Sequence, residues 1–225
     1  MPACPITHGE VGDVEGTLAV VRGRLIESVA PANIRRTAHA FARVIVDVGT
    51  GDGRWLYRTA RAHPEWFCLG LDAYAGMMRE VSRRASRDPS RGGAPNLCFL
   101  RIAAETLPAG LEDLADHISI LCPWGSLLRA VLVPDVPVLR GVARIGKPSA
   151  LMEIRVNASA YRAAVGPDAG DATRLCRRLQ PEYARAGIAL TSCHTAATDP
   201  RTSWERRVRR RRHLVVVQIL GLVLK

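Results

Sequence analysis

Short apolar runs alternate along this chain with longer polar stretches that repeat at helical spacing. Residues 44–48, 66–72, 96–102, 118–122, 150–156, 187–192 and 214–224 are rich in branched and aromatic side chains. Glycines, prolines or acids bound them, which predicts seven strands. Residues 54–62, 77–86, 135–143, 171–178 and 181–186 read as helices between the strands. Pro31, whose fixed φ suits a first helical position, opens another over 31–40. Residues 17–26 predict a hairpin turning at Gly23, residues 1–16 a loose arm and residues 157–170 a loop. Strands that alternate with helices predict a mostly parallel sheet covered on both faces. The expected fold is therefore α/β and Rossmann-like, with seven strands and an N-terminal hairpin. It forms one domain over residues 1–225, with arm, hairpin and helix to residue 42 and the core from 43.

The run that ends Val46-Asp47-Val48-Gly49-Thr50-Gly51-Asp52-Gly53 carries the first chemical signal. It reads as a buried strand, a tight turn and the start of a helix, with glycines that let a ligand approach the backbone. A dinucleotide pyrophosphate favours bare amides at such a turn. Asp47 and Asp52 would repel it and would suit a ligand bearing a sulfonium and an ammonium, as S-adenosylmethionine does. Asp72 closes the next strand, where a carboxylate can accept both ribose hydroxyls of a nucleoside. Residues 103–105 lie where an adenine would rest, and Asp47, Asp72, Glu105 and Trp124 fall at one sheet edge.

Charge adds a partner. Lysine and arginine number 32 against 21 acids in 225 residues, a net charge of +11, and 48% of residues are hydrophobic, enough for a sizeable core. The excess gathers around Arg83, Arg84, Arg87 and Arg91, and again in Arg206, Arg207, Arg209, Arg210, Arg211 and Arg212 directly after Trp204. Arginine holds phosphates and an indole stacks on an unpaired base, so the pattern points to nucleic acid. The six cysteines show no zinc spacing and read as reduced thiols of a cytoplasmic protein. The opening residues do not read as a signal peptide. The terminal apolar run is too short to span a membrane, so no membrane partner and no metal are expected. Six scattered histidines suggest no acid–base pair.

At this point the chain resembles a known family. Asp47-Val48-Gly49-Thr50-Gly51-Asp52-Gly53, Arg91-Gly92-Gly93-Ala94-Pro95-Asn96, Ala103-Ala104-Glu105-Thr106-Leu107-Pro108, Pro123-Trp124-Gly125-Ser126-Leu127-Leu128 and Thr202-Ser203-Trp204-Glu205-Arg206-Arg207 are similar to motifs of the aminoglycoside-resistance 16S rRNA adenine-N1 methyltransferases, the KamB/NpmA type. The likeness runs from about residue 17 to the end. It implies a class I S-adenosylmethionine-dependent methyltransferase fold acting on 16S rRNA in the 30S subunit, with a monomer as the default.

Asp47, Gly49 and Asp72 would then line the cofactor site, Ala104 and Glu105 would hold the adenine, and Ser126, Leu127 and Thr202 would complete the pocket. Trp124 and Trp204 would sandwich the flipped target base. Arg83, Arg84, Arg87, Arg91, Arg206, Arg207, Arg209 and Arg212 would grip the rRNA backbone. Where the family often has lysine in the first basic loop, this chain has arginine, and its tail is a dense arginine cluster. Other readings are a different RNA methyltransferase such as a tRNA guanine-N7 enzyme, a non-catalytic RNA-binding protein with a vestigial pocket, or a small-molecule methyltransferase. The acids in the glycine loop make a NAD oxidoreductase the weakest.

Overall fold

The computed structural model describes residues 16–165, 172–197, 200–211 and 215–224, so the arm and Arg212 lie outside the described residues. The strands are β1 (Leu18–Arg22), β2 (Leu25–Val29), β3 (Arg43–Val48), β4 (Trp66–Asp72), β5 (Leu97–Arg101), β6 (Ala115–Leu121), β7 (Gly146–Asn157), β8 (Ile188–Ala197) and β9 (Val215–Val223). The helices are α1 (Pro31–Ala38), α2 (Arg54–Ala62), α3 (Ala75–Ala85), α4 (Gly125–Leu132), α5 (Val136–Ile145), α6 (Ala158–Val165), α7 (Ala172–Arg185) and α8 (Ser203–Arg211).

These strands form one sheet in the order β2-β1-β5-β4-β3-β6-β7-β9-β8. β5, β4, β3, β6 and β7 run parallel, and β9 is antiparallel to both β7 and β8. The hairpin joins the same sheet as the seven predicted strands. Val20 pairs antiparallel with Leu100, so β1 and β2 extend the sheet edge to nine strands. Strand order reverses between β3 and β6, and a crevice opens there at the carboxyl ends.

Alternation along each strand gives the sheet two different faces. One is apolar throughout: Val44, Val46, Val48, Ile118, Ile120, Met152 and Ile154 pack with buried residues of α1, α4, α5 and α7. The other is apolar beneath α2 and α3, where Ile45, Cys68, Leu97 and Phe99 meet Leu56, Tyr57, Met78 and Val81. Toward β6 and β7 that second face turns polar, carrying Asp47, His117, Ser119, Glu153 and Arg155.

Three expectations change. Residues 125–132, for which no helix was expected, form α4, and residues 158–165, read as loop, form α6. The two helices expected over 171–178 and 181–186 are the single helix α7, with Pro181 inside it. Proline removes a helical N–H and normally breaks the run. Here Leu175, Leu179 and Tyr183, four apart, are buried on one stripe, and the Tyr183 hydroxyl donates to the Val131 carbonyl at 2.9 Å. Packing of that stripe outweighs the local defect. Among the described residues, no helix is long and apolar enough to cross a membrane.

Candidate active site at the carboxyl edge of the sheet

The turn after β3 needs its glycines. Gly49 has φ of +74°, and a Cβ there would lie 2.7 Å from Leu127 Cδ2. Gly53, at +66°, caps α2 with no room for a side chain, since a Cβ would meet the Phe99 ring at 2.5 Å. At Gly51 a Cβ would meet nothing within 4 Å, because the turn faces open space. The Asp72 carboxylate braces the turn from β4. Oδ2 accepts the Gly51 amide at 2.9 Å and Oδ1 accepts the Tyr74 amide at 2.8 Å.

That open space is a cavity of about 240 Å³ walled by Gly49, Gly51, Asp72, Ile102, Ala104, Glu105, Trp124, Ser126 and Leu127 among others. A second recess of about 370 Å³ continues from Glu105 and Ser126 beneath Arg129 and Asp135. Two carboxylates on an otherwise largely apolar wall, beside a turn stripped of side chains, fit a cationic nucleoside such as S-adenosylmethionine. The Asp72 oxygens fit its ribose hydroxyls, and Ile102, Ala104 and Leu127 fit its base.

Of the predicted cofactor residues, Gly49, Asp72, Ala104, Glu105, Ser126 and Leu127 reach the wall. Asp47 does not. It is 3% exposed beneath the turn and accepts the Ser119 hydroxyl at 2.6 Å; burial pushes its carboxyl up to about 7, against the pull of the Ser119 and Thr50 hydroxyls. Asp52 turns away to accept the Ser203 hydroxyl at 2.5 Å. Thr202 is the cap of α8 rather than part of the wall: its Oγ1 accepts the Glu205 amide at 3.1 Å, and Glu205 Oε2 accepts the Thr202 amide at 2.7 Å.

The two indoles do meet. Trp124, 60% exposed, caps α4, and Trp204, partly buried, sits in the first turn of α8. Their ring centroids are 5.1 Å apart at 79°, edge to face. A base held between two ring faces needs them parallel and roughly 7 Å apart, twice a carbon–carbon contact. The expected sandwich is thus folded upon itself in this structure, and the rings must turn to admit a base.

What holds Trp204 in place is a buried set of charges that the sequence reading missed. Glu205 is fully buried, and its Oε1 lies 3.1 Å from Arg155 Nη2 and accepts the Cys122 thiol at 3.5 Å. Cys122 has φ of +52°, a strained value for a side-chain-bearing residue, two positions before Trp124; its amide donates to the Arg155 carbonyl at 2.7 Å. Arg201 adds a 2.6 Å bond to Glu153, which also accepts the Gln218 amide at 2.7 Å. The Thr-x-x-Glu spacing of a reciprocal helix cap was the available signal for Glu205.

The predicted arginines fall in two groups. Arg83 and Arg84 end α3, and Arg87 and Arg91 follow in the loop toward β5, all exposed at the amino edge, away from the cavity. Arg206 is half-buried and Arg207 exposed on α8 beside Trp204. Arg209 lies within α8, and Arg212 is outside the described residues.

Comparison with known proteins agrees with this geometry. Residues 19–223 match the sequence model of NpmA, 16S rRNA (adenine(1408)-N(1))-methyltransferase. A 16S rRNA (adenine(1408)-N(1))-methyltransferase of Streptoalloteichus hindustanus is 35% identical over 199 residues, covering 84% of this chain and 90% of that one. A tryptophan-to-alanine mutant of the Catenulisporales acidiphilia enzyme of the same description, solved with cosubstrate SAM, superposes with a TM-score of 0.82. It is 32% identical and covers 92% of this chain and 97% of its own. The antibiotic-resistance methyltransferase Kmr superposes at 0.78 with 34% identity, covering 92% and 99%.

Proposed function

The chain belongs to the 16S rRNA (adenine(1408)-N(1))-methyltransferase family and methylates N1 of that adenine, conferring aminoglycoside resistance; from that premise we propose which of its residues carry the reaction and on what form of substrate. S-adenosylmethionine supplies, when bound, a methyl group on a sulfonium, an electrophile whose sulfur leaves as a neutral thioether.

Asp72 and Glu105 hold the cofactor by charge and hydrogen bonding, Gly49 and Gly51 let it lie against the backbone, and Ala104, Ser126 and Leu127 enclose its base. Trp124 and Trp204 part to receive the target adenine, extruded from its helix so that N1 is exposed. N1 has an in-plane lone pair, so no side chain removes a proton. The adenine ring becomes cationic as the bond forms, and the indole faces stabilise that charge. Their larger contribution is to hold N1 in line with the methyl and shield it from water.

Arg206 and Arg207 beside the indoles, and the group from Arg83 to Arg91, contact phosphates. The whole chain acts as one catalytic unit, and the substrate is the assembled 30S subunit, in whose decoding region the target helix is held ready for docking. The observation that carries this reading is the meeting of two indoles, from segments far apart in sequence, at the rim of a carboxylate-lined cavity. Methylation of purified 30S subunits, mapped by reverse transcription, tests it. A single new stop at the decoding-region adenine is expected, and a stop elsewhere, or transfer to naked rRNA alone, would overturn it.

A further inference from the structure

The two arginine groups stand at opposite edges of the sheet, and α2 is the helix that runs between them. We propose that the exposed face of α2 is a phosphate track along which one strand of the substrate rRNA crosses from the indole pair to the basic loop. Its residues are Arg58 and Arg61, and the inference rests on the rRNA reading above.

Arg54, Arg58 and Arg61 recur at four- and three-residue spacing and all are exposed, so they form one stripe. The track residues Arg58 and Arg61 lie roughly 5 Å apart along the helix axis at 1.5 Å per residue. Each of the two is tied to an arginine group already described. At the cavity end, Arg58 Nη2 donates to the Arg201 carbonyl at 2.5 Å, next to the α8 cap. At the far end, Arg61 Nη1 donates to the Pro89 and Gly93 carbonyls at 2.9 Å, gathering in the basic loop. Arg84 reaches back over the Tyr57 ring of α2, 5.0 Å from its centroid.

These bonds fix the guanidiniums without neutralising them. Arg54 is paired with Glu80 at 2.9 Å, but among the described residues neither Arg58 nor Arg61 has a carboxylate partner within ion-pair distance. Burial, then the like charge of Arg206, holds the Arg58 guanidinium below its ordinary value, with the Asp52 carboxylate pulling the other way. Cations crowded in this way gain from an anion placed between them, and fixed guanidiniums lose little freedom when it arrives. By contrast, Arg177 and Arg178 on α7 are exposed on the opposite face of the sheet, so charge there cannot reach the same strand.

Glutamine keeps a donor for each carbonyl but removes the charge, and lysine keeps the charge. Affinity for 30S subunits is measured across salt concentrations for Arg58→Gln, Arg61→Gln, the double variant and the lysine counterparts, with S-adenosylmethionine binding as the fold control. Each glutamine should lower the salt slope by about one and weaken binding about tenfold near 0.1 M salt, while lysine leaves the slope in place. An unchanged slope in a double variant that still binds cofactor overturns the track.

Should the glutamine variants fail to fold, modification of wild-type arginines by phenylglyoxal decides. Protection of Arg58 and Arg61 by 30S subunits, with Arg177 and Arg178 still reactive, supports the track, and equal reactivity of all four overturns it. If wild-type enzyme does not methylate 30S subunits at all, the underlying reading fails instead, and the two failures are told apart by that one control.

Discussion

Under α2 and α3 the sheet presents Ile45, Cys68, Leu97 and Phe99, whereas further along the same face, from the end of β3 toward β6 and β7, it presents Asp47, His117, Ser119, Glu153 and Arg155. The first region is held by packing and carries the glycine turn of the cofactor site. The second is held by directional bonds among buried charges and carries Trp204. Apolar packing tolerates small adjustments in angle, but hydrogen-bonded ions do not. Cofactor recognition uses a backbone turn whose shape is local. On the proposed reading, placing an indole over the target base demands a helix fixed in register against a distant turn, and Glu205 ties the α8 cap to Arg155 and Cys122.

The largest expected effect breaks this comparison directly. Glu205→Ala leaves Arg155 buried without its carboxylate and should lower stability by roughly 3–5 kcal/mol in chemical denaturation, with much of the loss recovered on adding Arg155→Met. A loss below 1 kcal/mol would mean that the polar region is not held by its charges.

Asp47→Asn comes next. The folded carboxyl titrates at about 7 against an ordinary 3.8, so the fold favours the protonated form. The Asp47 contribution to stability should therefore fall by up to about 4 kcal/mol as pH rises from about 4 to 7, against the opposite contribution of His117, whose pKa burial lowers, and the asparagine variant should lack the Asp47 part. Melting temperature against pH reads the difference, and parallel curves would place the titration elsewhere.

Trp204→Ala sharpens the division of labour between the two regions. Methylation of 30S subunits should drop on the order of 100-fold through lost positioning. Cofactor affinity by calorimetry should change less than twofold, about 0.4 kcal/mol. Equal losses in both would merge the two regions into one.

The smallest effect belongs to the rim. Arg207→Ala should weaken 30S binding by about 1 kcal/mol and reduce its salt slope by about one, with turnover at saturating substrate unchanged. A drop in saturated turnover would move Arg207 from phosphate contact to base positioning.

The same contrast explains what could be read in the chain beforehand. α2 and β4 begin and end where apolar runs meet glycine, proline and acid, because their boundaries are written locally. Gly49, Asp72 and Glu105 were legible for the same reason, since each lies at or just after a recognisable strand end, whereas Ser126 and Leu127 came from the family resemblance. α4 was hidden because Gly125, in the left-handed region at φ of +57°, opens it straight after Pro123 and Trp124. α7 was split at Pro181 because the stripe that carries the helix through is stabilised by neighbours far away in sequence. Asp47 lies off the cavity wall. An acid at a strand end suggests a ligand contact, and alternation here turns its side chain into the layer with Ser119. No run or period announces that Arg155 and Glu205, fifty residues apart, will share a buried pair.

The edge-to-face rest of Trp124 on Trp204 also affects stray ligands. Each ring occupies the other's seat, so a loose nucleoside must first prise them apart and forfeits about 1 kcal/mol, a fivefold handicap. A base delivered by a docked ribosomal helix offsets that handicap with contacts made elsewhere. Bystander purines have no such help, so a pair that receives the target base as proposed would tilt traffic toward the adenine that arrives with its rRNA attached.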